Sequence, residues 1–377
     1  MPDARREYRI VSTVTRSSSF SGRAGFAVLA FLLPLLAYGC GSSPTTPNSR
    51  GTQPEPVIPA PDPGDAHIAA VGDVMLDRGV ADAIRLNGLD SILPIVAAQL
   101  TLADAAFANL ECPLASTGPH DPGHLVFRAD PGAVAVLLQG GFDVVSLANN
   151  HALDAGAAGL IETITHLEDA GIRPVGAARD ASHGTDPVFL ACKDVRVGFL
   201  AFTDIDNVGR SQSRLDPDLT KLRAQVAAAR GSCDLLVVSF HWGIQDSETP
   251  TRRQVDVARA AIDSGADLIL GHHPHVLQGA EIYRGRLVLY SMGDFVFDAR
   301  SADEAEGGIF DVCYRPGRGL RLWMTPVFIP ASRMGPEYPP PDQGASILRR
   351  FAAMSEARGT VPQIAHGSAF LDCPFPR

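Results

Sequence analysis

Long runs of basic residues are absent from this sequence, in which 42 aspartates and glutamates outnumber 32 lysines and arginines. The formal net charge is -10. Proteins that bind nucleic acid present a basic patch or stripe to the phosphate backbone, so we expect no nucleic-acid partner. An anionic substrate stays open, because a bound divalent metal ion can reverse the sign of the charge in a site.

Cysteine is also scarce, at 6 of 377 residues, and no pair stands in the CxxC spacing of a zinc site. The five cysteines that follow Cys40 are predicted to be buried thiols. In an oxidising compartment some would pair, and their odd number would leave at least one free. Hydrophobic residues make up 45% of the chain, which supplies a sizeable core and excludes wholesale disorder.

Only one uncharged apolar run approaches the length of a membrane span, and it extends from Ala24 to Gly39 behind several arginines. At about 16 residues, with Pro34 inside, it is short for a bilayer-spanning helix and is typical of an export signal. Its end at Gly39 and Cys40 resembles a bacterial lipoprotein signal, although Tyr38 is bulky for that pattern. The resemblance implies lipidation of Cys40 and anchoring at the cell envelope. An uncleaved anchor helix is the alternative.

These features divide the chain into three parts. Residues 1–40 are predicted to be the export signal. Residues 41–66 are rich in proline, serine and threonine and poor in large apolar residues, so they are predicted to be a disordered stalk. Residues 67–377 are assigned to one folded domain.

Short β-branched runs alternate with amphipathic helical patterns from His67 onward, which predicts an α/β protein with both sheet faces covered. Strands are expected in HIAAVGDVML, AAFANLE, DVVSLANN, VRVGFLAF, DLLVVSFHW, ADLILGHH and RLVLYSMGDFVF. Helices are expected at Asp82–Gln99, Gly156–Ala170, Leu219–Arg230, Arg252–Ser264 and around Ala345–Arg358. After Gly307 the segments GGIFDVCYR and LRLWMTPVFI predict a pair of strands at an antiparallel edge of the sheet.

Potential metal ligands stand at or just after the ends of these strands. They are Asp73, Glu111, Asn150, His151, His241, His273 and His275. Because loops at the carboxyl ends of strands face one crevice in an open α/β sheet, we expect these side chains to converge.

Six of them, all but His151, form the predicted ligand set. Carboxylate and imidazole ligands together suit Zn, Mn or Fe, whereas a set without cysteine argues against structural zinc and one with imidazole argues against calcium. A bridging carboxylate, for which Glu111 is the candidate, allows two metal ions about 4 Å apart, and such a pair can activate water for attack on a phosphoryl group.

The individual motifs differ in strength. GHHPHV is the strongest, since an extended His273-x-His275 segment would send two imidazoles to one side. His241 alone is more typical of a buried core histidine. ANNHALDAG fits a site, and it also fits a turn with Asp154 or Gly156 at a helix N-terminus.

The motifs GDVM, NLE, FRADP, ANNHALDAG, FHWG, GHHPHV and YSMGDF occur in the order found in the bacterial capsule-synthesis CapA family, the poly-γ-glutamate capsule proteins. The resemblance covers roughly His67 to Phe297. It implies the four-layer α/β/β/α sandwich of the calcineurin-like metallophosphoesterases. It also implies two divalent metal ions, Mn, Zn or Fe.

Carried over to this sequence, the resemblance implies a role for each matching residue. Asp73 and His275 would hold the first metal, and Glu111 would bridge. The second metal would be held by Asn150, His241 and His273. His151, oriented by Asp154, would protonate the leaving oxygen, and Arg128 would bind an anionic substrate.

Two departures from the family pattern affect the site. Met75 stands where metallophosphoesterases usually have histidine, so the first metal would lose an imidazole. Asp294 stands where the family has asparagine. We place Asp294 with Arg128 on the substrate side, where its carboxylate would either raise metal affinity or repel an anionic substrate. His272 is left as a neighbour without a role.

Three functions are compatible with these features. The first is an exported metal-dependent hydrolase that cleaves a phosphoester or related bond in capsule or poly-γ-glutamate biosynthesis. The second is a non-catalytic accessory protein that binds poly-γ-glutamate or another anionic polymer beside membrane proteins of capsule assembly. The third is a degenerate binding module without metal.

Overall fold

A computed structural model describes residues 61–207 and 209–375, which form fifteen strands and seven α-helices. The strands are Ala66–Val74 (β1), Ala105–Leu110 (β2), Val144–Ser146 (β3), Arg173–Val175 (β4), Val188–Cys192 (β5), Val195–Thr203 (β6), Leu235–His241 (β7), Leu268–His272 (β8), Ala280–Tyr283 (β9), Arg286–Leu289 (β10), Asp294–Val296 (β11), Glu306–Arg315 (β12), Gly319–Phe328 (β13), Gln363–Ala365 (β14) and Ser368–Pro374 (β15). The helices are Arg78–Asn87 (α1), Ala97–Leu100 (α2), Val134–Gln139 (α3), Gly156–Asp169 (α4), Thr220–Arg230 (α5), Arg252–Asp263 (α6) and Pro341–Glu356 (α7).

The strands build two sheets. One has nine strands in the order β14-β15-β13-β12-β1-β2-β3-β4, with β11 also paired to β1. The other has six strands in the order β5-β6-β7-β8-β10-β9. The strands that carry the predicted ligands, β1 to β3 in one sheet and β6 to β8 in the other, are parallel within each sheet.

Three hydrophobic clusters separate four layers. Val71 of β1 faces outward and packs with helices α1 to α4 in one cluster. The opposite face of β1 and β2 packs on the second sheet, where Phe107 stacks on Phe199 at 5.9 Å between ring centroids. Phe240 of β7 packs outward with α5 and α6 in the third cluster. Burial of apolar side chains in three successive layers gives the predicted α/β/β/α sandwich, and the fold class is confirmed.

Several elements differ from the sequence prediction. The helix expected at Asp82–Gln99 is wrong, because α1 ends at Asn87, Gly88 follows with a φ of 86°, and Pro94 precedes the short α2. The strand pair β12 and β13 is not at an edge. It lies between β1 and β15, since the tail beyond Ser332 supplies the two strands β14 and β15 as well as α7.

The segment RLVLYSMGDFVF is two strands in different sheets. Its first half is β10 in the six-stranded sheet, and its second half is β11, beside β1 in the nine-stranded sheet. Gly293, with a φ of 71°, lies just before β11. The chain therefore crosses between the sheets at this point and delivers Asp294 to the end of β1.

The N-terminal predictions fall mostly outside the described residues. The export signal at 1–40, including Cys40, is among the residues that the structure does not describe, and of the stalk only residues 61–66 are described. Those last residues are held on the domain, where buried Asp65 accepts hydrogen bonds from Arg315 and Arg321. Within the described ranges, no helix combines the length and the apolar character needed to span a membrane.

The cysteines of the described residues are free thiols. Those at 112, 192, 313 and 373 are buried, and Cys233 is half-buried. Burial raises the pKa of the Cys192 thiol to about 12, which keeps it protonated and unreactive at neutral pH.

Candidate metal centre

The predicted ligands meet where the carboxyl ends of the two sheets come together. Asp73 and Glu111 come from β1 and from the residue after β2 in the nine-stranded sheet. His241 ends β7 in the six-stranded sheet, and His273 and His275 follow β8. All five side chains are buried. The convergence expected from strand order is therefore present across both sheets.

One cluster of ligand atoms surrounds the Nε2 atom of His241. Glu111, His241 and His273 offer atoms that all lie within 4.8 Å of one another. His241 Nε2 is 2.6 Å from Asn150 Oδ1, 3.2 Å from His273 Nδ1 and 3.6 Å from Glu111 Oε1. Two imidazoles, a carboxylate and an amide oxygen at these spacings suit a divalent transition metal.

A second cluster contains Asp73, His275 and Asp294, again with ligand atoms within 4.8 Å of one another. His275 Nδ1 is 2.8 Å from Asp294 Oδ1 and 3.7 Å from Asp73 Oδ2. Asp294 is thus beside Asp73 and His275, and its carboxylate adds a second acidic ligand to this cluster. Met75, where the family usually has histidine, is fully buried in the core instead.

Glu111 lies between the two clusters. Its Oε1 atom is 3.6 Å from His241 Nε2 and 3.9 Å from His275 Nε2. Neither carboxylate oxygen of Glu111 has a hydrogen-bond partner among the described residues, and the same holds for Asp294 Oδ2. An unpartnered buried carboxylate costs several kcal/mol, about 3–5 where a charge is left unpaired. These orphaned oxygens, with the imidazoles around them, fit a pair of metal ions.

The loop that carries His273 and His275 is not the extended segment that we expected. His273 has a φ of 93° and His275 a φ of 60°, so both residues adopt left-handed backbone conformations. Such conformations cost about 1–3 kcal/mol each and persist where the surrounding structure fixes them. Here the backbone N–H of His273 donates to Asp73 Oδ2 at 3.1 Å. The curled loop turns one imidazole toward each cluster.

The electrostatics keep the His241 cluster ready for a cation. Burial, with the neighbouring His273, lowers the pKa of His241 well below its usual value. Burial and the charge of His275 lower the pKa of His273 to about 4. Both imidazoles are therefore neutral at pH 7, which is the form that binds a metal ion.

Several ionisable groups lie close together in and around the Asp73 cluster and shift one another's pKa values. Burial would lower the pKa of His275, but the carboxylates of Asp294 and Glu111 outweigh it and raise that pKa to about 10. Burial raises the pKa of Asp294 to about 7. Burial and the charge of Asp73 likewise raise the pKa of Glu111. Without a cation these carboxyl groups tend to keep their protons.

His151 lies beside both clusters and belongs to neither. Its Nδ1 is 2.8 Å from Asp154 Oδ2, and its Nε2 is 4.0 Å from Glu111 Oε1. The ring stacks on Phe127 at 4.2 Å between centroids, and the Phe127 N–H donates to the same Asp154 oxygen at 2.8 Å. Asp154 therefore orients an imidazole whose Nε2 atom faces the site.

Two asparagines that the sequence analysis did not single out hold the ligands in place. Asn109 Nδ2 donates to Asp73 Oδ1 at 2.8 Å and is 3.3 Å from His241 Nδ1. Asn149 Nδ2 donates to Asn109 Oδ1 at 3.1 Å. Asn109 precedes Leu110 and Glu111 in the NLE motif, but only the paired strands show what it contacts. His272 Nδ1 is 3.2 Å from Asp73 Oδ1, so this neighbour also touches the site.

A cavity opens beside the clusters, and its walls include Glu111, His151, His275 and Asp294. Arg128, the predicted substrate-binding residue, is not among the residues that line it. The guanidinium of Arg128 donates to the Gly118 carbonyl at 2.5 Å instead. The arginines that line the cavity are Arg78 and Arg300.

Comparisons with known proteins show the same family that the motifs suggest. A family model for the bacterial capsule synthesis protein PGA_cap matches residues 67–299. The chain is 34% identical over 253 residues to the capsule biosynthesis protein CapA of Bacillus anthracis. This alignment covers 62% of this chain and 61% of that protein. The match thus spans less than two thirds of the length of that relative. The PGA biosynthesis protein CapA of Bacillus subtilis (strain 168) is 30% identical over 267 residues, covering 69% of this chain and 70% of that protein.

Among solved structures, a novel phosphatase from Mycoplasma pneumoniae is similar, with a TM-score of 0.42 and 12% sequence identity over 69% of this chain and 88% of that one. The family model covers more than half of the sequence and includes every residue of the two ligand clusters. The chain belongs to the bacterial capsule synthesis family that this model describes.

Proposed function

We propose that this protein is a metal-dependent hydrolase that cleaves a phosphoester or related bond in capsule or poly-γ-glutamate biosynthesis. One observation carries the proposal: two buried ligand clusters meet at the unpartnered carboxylate of Glu111, beside an imidazole that Asp154 orients.

Each cluster would hold one divalent ion, Mn, Zn or Fe. Glu111, His241 and His273 with Asn150 would hold one, and the other would lie among the Asp73 cluster. We assign Asp294 to the metal, since its distance of 2.8 Å to His275 places it among ligand atoms. Two such ions supply Lewis-acid chemistry, because they activate water and neutralise charge on a phosphoryl group.

The protein's own residues supply the proton transfer. His151 is the general acid, since its Nε2 faces the Glu111 carboxylate while Asp154 holds the Nδ1 atom. Stacking on Phe127 fixes the plane of the ring. A positioned imidazole of this kind contributes about 10²- to 10⁴-fold to a hydrolysis rate.

Metal content tests the ligand assignment. The full chain, purified in detergent and loaded with Mn or Zn, is expected to bind about two ions. His273→Ala removes one ligand and should lose about one of them. His183→Ala, an exposed histidine outside both clusters, is the matched control and should retain both. An unchanged metal content in His273→Ala contradicts the assignment.

Turnover tests the hydrolase. The metal-loaded chain is assayed on generic phosphoesters and on poly-γ-glutamate. His151→Ala is expected to lower kcat about 10²-fold or more while the metal content stays unchanged, because His151 is outside both ligand clusters. Equal turnover in His151→Ala and the parent removes His151 from the mechanism.

A second function is favoured by the relatives, whose names refer to capsule and PGA biosynthesis. In it, the metal site binds carboxylates of an anionic polymer during assembly and cleaves nothing. Metal-dependent binding of poly-γ-glutamate without turnover of either substrate class would support this accessory role over the hydrolase. Membrane proteins of capsule assembly would then be its partners.

We also propose an exported protein anchored to the cell envelope by a lipid on Cys40. The support is the arginine-flanked apolar run before that cysteine and the Pro-rich segment that follows it. Such a stalk would hold the domain away from the membrane.

A further inference from the structure

The side chain of Arg78 contacts two phenylalanine rings at the wall of the cavity. Its guanidinium carbon is 4.8 Å from the ring centroid of Phe127 and 5.6 Å from that of Phe297. The side chain is 15% exposed. Two cation-π contacts to a largely buried guanidinium help to fix its position without using its hydrogen-bond donors.

Both phenylalanines also contact histidines of the candidate metal centre. Phe127 stacks on His151 at 4.2 Å, and Phe297 contacts His275 at 5.0 Å between ring centroids. The rings therefore link the position of Arg78 to the proton donor on one side and to the Asp73 cluster on the other. Arg78 and these two histidines line the same cavity.

Arg78 keeps hydrogen-bonding capacity for a ligand. A guanidinium has five N–H donors. One Nη pairs with Asp298, and Nε is buried without a hydrogen-bond partner among the described residues. The backbone of Arg78 has a φ of 49°, a conformation that is unfavourable for arginine and that this position nevertheless maintains.

The second arginine of the cavity is less suited to this role. Arg300 is 55% exposed, and its guanidinium is engaged by Glu304 at 2.5 Å and 3.1 Å. An arginine this exposed is screened by water and contributes little binding energy. Arg128 is bonded to the Gly118 carbonyl and does not line the cavity.

We propose that Arg78 binds the anionic group of the substrate, a phosphoryl or carboxylate oxygen, beside the two metal positions. This inference rests on the proposed metal site and assigns to Arg78 the role that the sequence suggested for Arg128. Arg78 is a specificity-determining residue, because its planar cation selects a substrate with a negative group next to the bond at the metals.

Phosphate binding tests the proposal independently of turnover. The full chain is loaded with Mn, its metal content is verified, and its affinity for inorganic phosphate is measured by calorimetry. Arg78→Met is expected to weaken phosphate binding about 10- to 100-fold, the loss of one or two charge-assisted hydrogen bonds. The phosphate affinity of Arg78→Lys should lie between those of the parent and Arg78→Met, since lysine keeps the positive charge but lacks the planar, two-pronged guanidinium. Arg252→Met, at an arginine that is 93% exposed and does not line the cavity, is the matched control and should stay within about twofold of the parent.

A second variant is expected to raise the affinity for phosphate, and it leaves the packed side chain of Arg78 unchanged. Asp298→Asn removes the negative charge that Arg78 neutralises, and its one side-chain oxygen can accept from either Arg78 or the Gly79 N–H but not from both as the carboxylate does. Phosphate affinity should rise about two- to fivefold. A lower or unchanged affinity contradicts the proposal.

The outcomes separate this inference from the hydrolase. If phosphate binding depends on Arg78 but no substrate turns over, the hydrolase proposal is contradicted and the proposal that Arg78 binds an anion is supported. If turnover is present while Arg78→Met keeps its phosphate affinity and KM, the anion site fails and the hydrolase stands. A metal-loaded parent that binds no phosphate also overturns the role of Arg78.

Discussion

Asp73 and Asp294 are register partners in the parallel strands β1 and β11. Each follows a glycine, and a β-carbon added to Gly72 would lie only 1.8 Å from the carbonyl oxygen of Gly293. The Asp73 N–H donates to that same oxygen at 3.1 Å. The glycine of each Gly-Asp pair therefore allows the two backbones to approach closely. This close approach places the two carboxylates beside His275.

Replacing Gly72 by alanine should damage both the fold and the site. The new β-carbon would collide with backbone, which cannot move aside as a flexible side chain would. We expect the free energy of unfolding of the metal-free protein, measured with denaturant, to fall by about 1–3 kcal/mol or more. Metal bound by the Asp73 cluster should be lost as well.

Gly231→Ala is the control for this substitution. Gly231 follows α5 with a φ of -69°, and its nearest neighbour would be the Ala228 carbonyl at 4.0 Å. Its stability should change by no more than about 0.5 kcal/mol. If Gly72→Ala and Gly231→Ala are equally stable, the close approach of β1 and β11 is not present in solution.

Asp154 should affect turnover through His151. Asp154→Asn replaces the carboxylate that holds His151 Nδ1 by an amide, which accepts fewer hydrogen bonds and does not stabilise a charged imidazole. We expect kcat to fall about 10- to 100-fold with the metal content unchanged. Asp169→Asn, at the exposed end of α4, is the control and should retain full activity. A fall in KM alone, with kcat intact, would show that Asp154 does not act on proton transfer.

Much of the candidate site could be predicted because strand ends are easy to locate. Asp73, Glu111 and His241 each come at or just after the end of an apolar run, and parallel strands bring their carboxyl ends to one edge. Asn109 gave no such signal, since its importance lies in contacts with residues on other strands. Arg78 gave none either, because its position depends on Phe127 and on a phenylalanine more than 200 residues away.

The fold was predictable where the hydrophobic pattern of a strand extended over many residues. Strands β1, β6 and β7 are continuous apolar runs and were located within a few residues. The three-residue strands β4 and β14 are too short to show a period, so pairing with neighbours alone defines them. The position of Asp294 also required the structure, because no local pattern shows that the chain changes sheets before β11.

Replacing Cys40 tests the proposed anchor. Cys40→Ala removes the thiol that would carry the lipid, so the protein should move from the membrane fraction to the soluble envelope fraction, as measured by fractionation and immunoblotting. One acyl-bearing residue is the whole attachment in this proposal, and its loss should release most of the protein. Cys233→Ala, a half-buried thiol, should leave the distribution unchanged. Membrane retention of Cys40→Ala would indicate an uncleaved anchor helix.

Glu111→Gln should change the stability of the metal-free and metal-loaded protein in opposite directions. Both carboxylate oxygens of Glu111 are buried without partners, and burial, followed by the charge of Asp73, disfavours the negative charge of Glu111. A neutral glutamine of nearly the same shape has no charge to bury and so avoids this cost. We expect metal-free Glu111→Gln to be at least as stable as the metal-free parent, measured as the midpoint of thermal unfolding in EDTA.

Metal should reverse this order. A ligand present at 100 times its Kd stabilises the folded state by about 2.7 kcal/mol for each site that it fills, and the parent should gain this from both clusters. Glu111→Gln lacks the charge placed between the clusters, so most of the gain should be lost. Glu356→Gln, at an exposed glutamate, is the control and should follow the parent in both conditions. Gln99→Glu would not serve, because Gln99 is buried. A metal-free Glu111→Gln protein that is much less stable than the parent would mean that the carboxylate already has a structural partner, and that the orphaned oxygens do not mark a metal site.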